Sequence, residues 1–292
     1  MDAERQDANA AWSRRLREHH AAAGGDCARF WQDERVAAEY AALVEQCDWG
    51  AALMDAVADL DLAPNATVLD IGAGTGTHTI PLSCSVRSVT AVEPSPAMLS
   101  CLRSNLAARG ITNVDCVAGR WEEVGWDVGI HGDLSDPFDL VIASFSLDMV
   151  DLRRALRRMQ DVCRGHVFLI WHHGPQAWES VYLDLWPHLH GRPYVPEPKS
   201  DALLAVLAEM GVDPSVRIHS SVSERRFPSL ERAVDHFAAE LRVDGPAARR
   251  LLSDYLGARL RPRDHDLVFL DSGDFAVISW RAGDRSGPAR RP

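Results

Sequence analysis

Three glycines at alternate positions, Gly72, Gly74 and Gly76, interrupt the apolar run VLDIGAGTGTHTIPLS over residues 68–83. Glycine adopts positive φ without penalty, and its lack of a side chain lets backbone N–H groups come within contact of a ligand. A strand that ends in such a turn and passes into a helix also offers the positive end of the helix dipole. Seventeen residues after Gly76, at the end of the next apolar run SVTAVE, stands Glu93. A carboxylate at that strand end is placed to accept hydrogen bonds from both hydroxyls of an adenosine ribose. The dinucleotide fingerprint is G-x-G-x-x-G, and its third glycine position holds Thr77 here. The spacing found is instead G-x-G-x-G, with Asp70 two residues ahead of the first glycine.

Further candidates follow two later apolar runs. Asp148 comes after FDLVIASF, at the carboxyl edge where open α/β sheets bind ligands. It could act as a base or orient a substrate amine, or equally cap the helix that begins at LRRALRR. His172 and His173 end HVFLIWHH at the same edge. Adjacent strand residues point to opposite faces, so at most one of them faces a site there. A general base and a packed histidine are both open readings. No metal site is expected, because adjacent histidines in a strand rarely chelate one ion and the cysteines form no C-x-x-C pair.

The elements that must position these residues form three zones. Residues 1–62 read as helices rich in Ala, Glu, Arg and Leu with aromatics at Trp12, Phe30, Trp31, Tyr40 and Trp49, and Asp26 is a plausible cap of a second helix. From Thr67 to His173, short β-branched runs alternate with helical stretches, one of them expected at Trp121–Val124. That alternation implies a parallel sheet covered on both faces. Runs such as DLVIASF are apolar without alternation, as a doubly covered sheet requires. The third zone carries a helix around Trp178, a Pro-rich loop GRPYVPEPKS, more helices, a strand at SVRIHSSV, and a closing strand DFAVISWRA.

Composition bounds the partners. The chain has 292 residues, 46% hydrophobic and 25% charged, enough for a sizeable core. Its net charge of −11 repels polyanions, so no nucleic-acid partner is expected. The longest apolar runs have strand length, well short of the ~20 residues of a membrane helix, and the first residues lack a signal-peptide core, so a cytoplasmic location without a membrane partner is expected. Oligomeric state is left open, with a homodimer as one option.

Four segments, VLDIGAGTG, AVEPSPAML, VAGRWEEV and FDLVIASFSLDMV, stand together in an order and spacing that resembles the class I S-adenosylmethionine-dependent methyltransferases. The resemblance spans roughly residues 60–172. It implies an α/β fold with a doubly wound, mostly parallel seven-stranded sheet whose last strand is antiparallel. Residues 1–62 would then be an N-terminal helical cap and 63–282 the Rossmann-like domain, with helical additions at 175–200 and 229–262 and a disordered tail at 283–292. S-adenosyl-L-methionine is the implied cofactor. Asp70 would hold the glycine loop and face the methionine amino group. Gly72, Ala73, Gly74, Gly76, Thr77 and Ser144 would line the methionine and ribose. Glu93 would grip the ribose, with Pro94 and Met98 near the adenine. Arg120 stands where the family often has an acidic residue, so Trp121 by stacking, or Glu122 by a hydrogen bond, would serve adenine instead.

The same resemblance implies in-line methyl transfer, with Asp148 and His172 as catalytic candidates. Trp31, Tyr40, His173 and Trp178 are candidates for the acceptor pocket. The segment ASFSLDM differs from the N-P-P-Y type that cradles planar amines of nucleobases or glutamine. No Pro-Cys pair is present for pyrimidine C5 methylation. With the negative charge, these absences favour a small-molecule acceptor over protein or RNA, while a non-catalytic S-adenosylmethionine-binding module remains the alternative.

Overall fold

The computed structural model of the chain describes residues 7–26, 31–32, 37, 49–60, 62–124 and 137–283. In chain order these hold α1 (Ala8–Ala23), α2 (Trp49–Ala58), β1 (Thr67–Ile71), α3 (Thr79–Ser83), β2 (Ser88–Glu93), α4 (Pro96–Ala108), β3 (Val114–Ala118), β4 (Phe138–Ser144) and α5 (Leu152–Asp161). Then come β5 (Cys163–Gln176), α6 (Ala177–His190), α7 (Ser200–Glu209), β6 (Ser215–Phe227), α8 (Leu230–Glu240), α9 (Pro246–Arg259), β7 (Arg261–Arg263) and β8 (Asp266–Arg281). The sheet order is β3-β2-β1-β4-β5-β8-β6, with β7 paired to β8. Strands β1 to β5 pair in parallel, and β8 runs antiparallel to both β5 and β6. The expected doubly wound, mostly parallel sheet is therefore present, with the short β7 as an eighth strand. Chain direction from β1 diverges to β2 on one side and β4 on the other, which opens a crevice at their carboxyl ends.

Alternation along each strand divides the core between the two faces. Leu69, Ile71, Val141 and Ala143 pack on one face with Trp12, Leu156, Trp171 and Leu203, under α1, α5 and α7. Their strand neighbours Val68, Leu140 and Ile142 pack on the other with Leu53, Val57 and Leu82, from α2 and α3. A separate cluster around Trp186, Phe237, Leu252 and Phe269 lies among α6, α8, α9 and the long β6/β8 ladder.

Helix α1 starts where the Asp7 side chain accepts from the N–H groups of Asn9 and Ala10, and stops at Gly24 in the left-handed conformation (φ 76°). Trp12 and Leu16, one turn apart, are both fully buried. The Trp12 indole N–H donates to the Met149 carbonyl at 2.9 Å, and Ser13 Oγ donates to the Val150 carbonyl at 2.5 Å. This helix is thus fastened to the segment that follows β4. Three local expectations change. Trp121–Val124 is a turn and not a helix. The last strand begins at Asp266, eight residues before the run that announced it. The cap of α5 is Asp151, whose carboxylate accepts from the Arg154 N–H at 3.2 Å. The helix expected after Asp26 and the tail beyond residue 283 lie outside the described residues.

Candidate active site

All three loop glycines have positive φ, at 71°, 56° and 101°, but for different reasons. A Cβ at Gly72 would lie 2.3 Å from Ser146 Cβ, and one at Gly76 would lie 2.7 Å from Leu102 Cδ1. Those two positions are small because the protein itself packs there. A Cβ at Gly74 would meet nothing within 4 Å, so the open space beside the loop lies in front of this residue.

Two carboxylates flank the loop. Glu93 is buried, with Oε2 accepting from the Gly74 N–H at 2.9 Å and Oε1 from the Ser95 N–H at 2.8 Å. Burial pushes its carboxyl above the usual range against those two bonds. Each oxygen keeps a lone pair for a further donor. Asp70 is likewise buried and accepts from Thr79 Oγ1 at 2.6 Å. Burial raises it to about 7, opposed by the Thr79 hydroxyl and assisted by the nearby Glu93. A buried carboxylate so placed is suited to a cationic partner. Met98 is buried beside Ala97, Ala37 and Trp31, and the Trp31 carbonyl accepts from Ser95 Oγ at 2.7 Å. Ala73 is buried, while Thr77, Pro94 and Ser144 are half-buried at the same edge.

The residues expected near adenine separate. Trp121 is a core residue: its indole N–H donates to the Ala155 carbonyl at 3.1 Å and the Arg158 guanidinium lies 4.7 Å from its ring. It is held in that packing and is not a free stacking platform. Arg120 pairs with Asp26 at 2.5 Å. Arg120, Glu122, Asp148, Asp26 and His20 together line a cavity of about 440 Å³. Burial raises the Glu122 carboxyl above its ordinary range. A depression of about 490 Å³ along the arginines of α5 touches neither the glycine loop nor the strands. Asp148 accepts from His20 Nε2 at 2.5 Å, and that hydrogen bond raises the imidazole above its usual value.

The paired histidines separate as strand geometry requires. His173 is hydrogen-bonded to Ser200 Oγ at 2.8 Å. His172 faces a ring of aromatics, with Phe145 at 4.7 Å, Trp171 at 5.6 Å and Trp178 at 6.0 Å between centroids. Burial drives its imidazole down to about 3, assisted by Lys199, so it is neutral. Phe145 holds φ at 49°, a conformation a bulky aromatic rarely adopts outside functional sites. Tyr40 lies outside the described residues. Sequence reasoning missed Thr79, Ser146, Glu197 and Lys199. Thr79 and Ser146 meet the loop only through the fold, and the lone lysine was the one visible signal for the last pair.

Residues 68–166 match the family model described as methyltransferase domain. Residues 68–166 carry a methyltransferase domain. S-adenosylmethionine is the cofactor of this class, and an open Gly74, an anchored Glu93 and a buried Asp70 fit it. Part of the chain is 33% identical, over 57 residues, to a protein of Methanosphaera stadtmanae assigned as ribosomal RNA small subunit methyltransferase A. That match covers 20% of this chain and 21% of the relative, about a fifth of each. Among solved structures, a protein of Bacillus halodurans C-125 proposed to be a methyltransferase superposes with a TM-score of 0.55 at 17% identity, covering 80% of this chain and 98% of that one. The YcgJ protein of Bacillus subtilis gives 0.51 at 18% identity, covering 78% and 97%. At these identities the superpositions speak for the fold. Among the described residues no helix is long and apolar enough to cross a membrane, and no three His, Cys, Asp or Glu side chains are grouped to hold a metal ion.

Proposed function

We propose that the protein transfers a methyl group from S-adenosylmethionine to a small molecule. The observation that carries this reading is the glycine turn itself, with open space only at Gly74 and a buried Glu93 holding that residue's N–H at 2.9 Å. Asp70, Gly72, Gly74, Glu93, Pro94 and Met98 would hold the cofactor, which supplies an activated methyl group. The protein's own part is to orient the acceptor and exclude water.

A small acceptor is favoured by the narrow edge beyond the loop. There Phe145, His172 and Trp178 crowd together, and α1 closes over the β4–α5 connection. The net charge of −11 works against a nucleic-acid acceptor. Thermal melting with S-adenosylmethionine, S-adenosylhomocysteine or NADH tests the cofactor. At about 100 times its dissociation constant a ligand adds about 2.7 kcal/mol, a shift of several degrees. A shift with NADH alone would refute the reading. Salt-sensitive binding to bulk RNA would refute the small acceptor.

A further inference from the structure

Lysine occurs once in this chain, among 31 lysine and arginine residues. That residue, Lys199, is held inside the protein, with 14% of its side chain exposed. Arginine evidently serves every solvated basic position. A compact ammonium with rotatable donors does what the wide guanidinium fork cannot where two carboxylates converge in a confined space. Lys199 Nζ donates to Glu179 Oε1 at 2.7 Å, and Glu179 Oε2 accepts from the Gln176 N–H at 3.1 Å at the start of α6. The pair is fixed and satisfied.

Glu197 stands on the other side of the ammonium and is held more loosely: His172 Nε2 lies 3.5 Å and Lys199 Nζ 3.6 Å from its Oε1. Charge-assisted hydrogen bonds that are made run to about 2.7–2.9 Å. The Glu197 and His172 side chains keep 17% and 21% of their surface open. The rings of Phe145 and Trp178 flank His172, and Trp178 lies 5.5 Å from Tyr182 and 5.9 Å from the Lys199 ammonium. The ring cluster and the cofactor loop share the end of β4, where Phe145 precedes the Ser146 that packs on Gly72.

The titratable groups facing Glu197 are His172 from β5, Glu179 from α6, Asp148 from the β4–α5 connection, and Tyr194 and Lys199 from the loop before α7. Burial lifts the Glu197 carboxyl to about 7, Lys199 opposes that, and Glu179 and Asp148 add to it. Burial, assisted by Lys199, holds His172 neutral. The carboxylates leave the crevice unsuited to an anion.

We propose that Glu197 is the proton acceptor of the transfer step, with Lys199 as its positioning residue, and that the methyl acceptor is a planar amine or hydroxyl compound seated against Phe145, His172 and Trp178. This rests on the methyl-transfer reading above. The acceptor heteroatom's lone pair forms the bond to the methyl carbon, the C–S bonding pair stays on sulfur, and the acceptor's proton passes to a Glu197 oxygen. Asp148, already bonded to His20, is left to shape the neighbouring cavity.

Carboxyl-carbon NMR of protein labelled at the glutamate side-chain carboxyl tests the base directly, and Asp70 is silent in that experiment. One resonance should titrate near pH 7. It should vanish in the isosteric Glu197→Gln and move up by about one unit or more in Lys199→Met, since an opposite charge within 4–6 Å is worth about 1–3 units. Circular dichroism and S-adenosylhomocysteine binding of each variant guard against a folding defect. With S-adenosylhomocysteine bound, phenol and benzylamine should bind at millimolar concentration and benzoate should not. Loss of no near-neutral resonance in Glu197→Gln, or equal binding of benzoate, would overturn the proposal while normal S-adenosylhomocysteine binding spared the methyltransferase reading. Absence of S-adenosylhomocysteine binding to the unaltered protein would overturn both.

Discussion

Asp70 has exchanged water for the hydroxyl and the backbone N–H of Thr79. Its carboxyl, raised by burial to about 7, is half protonated at neutral pH. A ligand ammonium beside it favours the anion, so cofactor binding should release a proton. Affinity for S-adenosylhomocysteine should therefore climb by up to about tenfold per pH unit below 7 and level off above it. Calorimetry from pH 5.5 to 8 checks this, and Asp70→Asn should flatten the curve. Glu93→Ala should weaken the same binding about tenfold or more, on the order of 1.5–3 kcal/mol for lost charged hydrogen bonds. Gly74→Val should leave a folded protein, with about 1–2 kcal/mol of backbone strain, and no measurable cofactor binding. At this scale the sequence told only part of the story. Three glycines looked equivalent in DIGAGTG, yet Gly72 and Gly76 answer to Ser146 and Leu102, side chains that only the folded sheet brings near. Trp121 looked available because its partner, the Ala155 carbonyl, lies 34 residues on.

Helix α1 shows how an element can be legible while its role is not. Its alanine-rich pattern announced a helix, and nothing local told that Trp12 would reach Met149 across the body of the domain. Because Trp12 is fully buried in the main core, Trp12→Ala should cost about 3–5 kcal/mol by chemical denaturation. Deleting residues 1–30 should accordingly destabilise the whole molecule, and a truncated protein that melts normally would make α1 a detachable lid instead. The same helix end presents His20 to Asp148. Since the folded imidazole is raised above 6.5, this contact stabilises fully below that value and is lost as pH climbs through the raised one. The melting-temperature difference between the unaltered protein and Asp148→Asn should shrink between pH 5.5 and pH 9. Strand ends were harder to read: β8 begins at Asp266, ahead of the run DFAVISWRA, in a ladder that pairs with Ser215 to Phe227 of β6.

Across the whole molecule, the parallel pairing of β1 to β5 followed from strand–helix alternation and the apolar runs, because each parallel crossover leaves its own periodic trace. The crevice at His172 left no such trace, being assembled from β4, β5, α6 and the loop before α7. Only its basic residue stood out, and that oddity has a practical side. Apart from the chain's α-amino group, an amine-directed reagent finds a single target in 292 residues. The molecule therefore carries a built-in tag inside its proposed acceptor crevice. Acylation of Lys199, counted by intact mass, becomes a clock for who occupies that space: an occupant should slow it, and each compound in a library can be ranked by the delay it causes before any product is known.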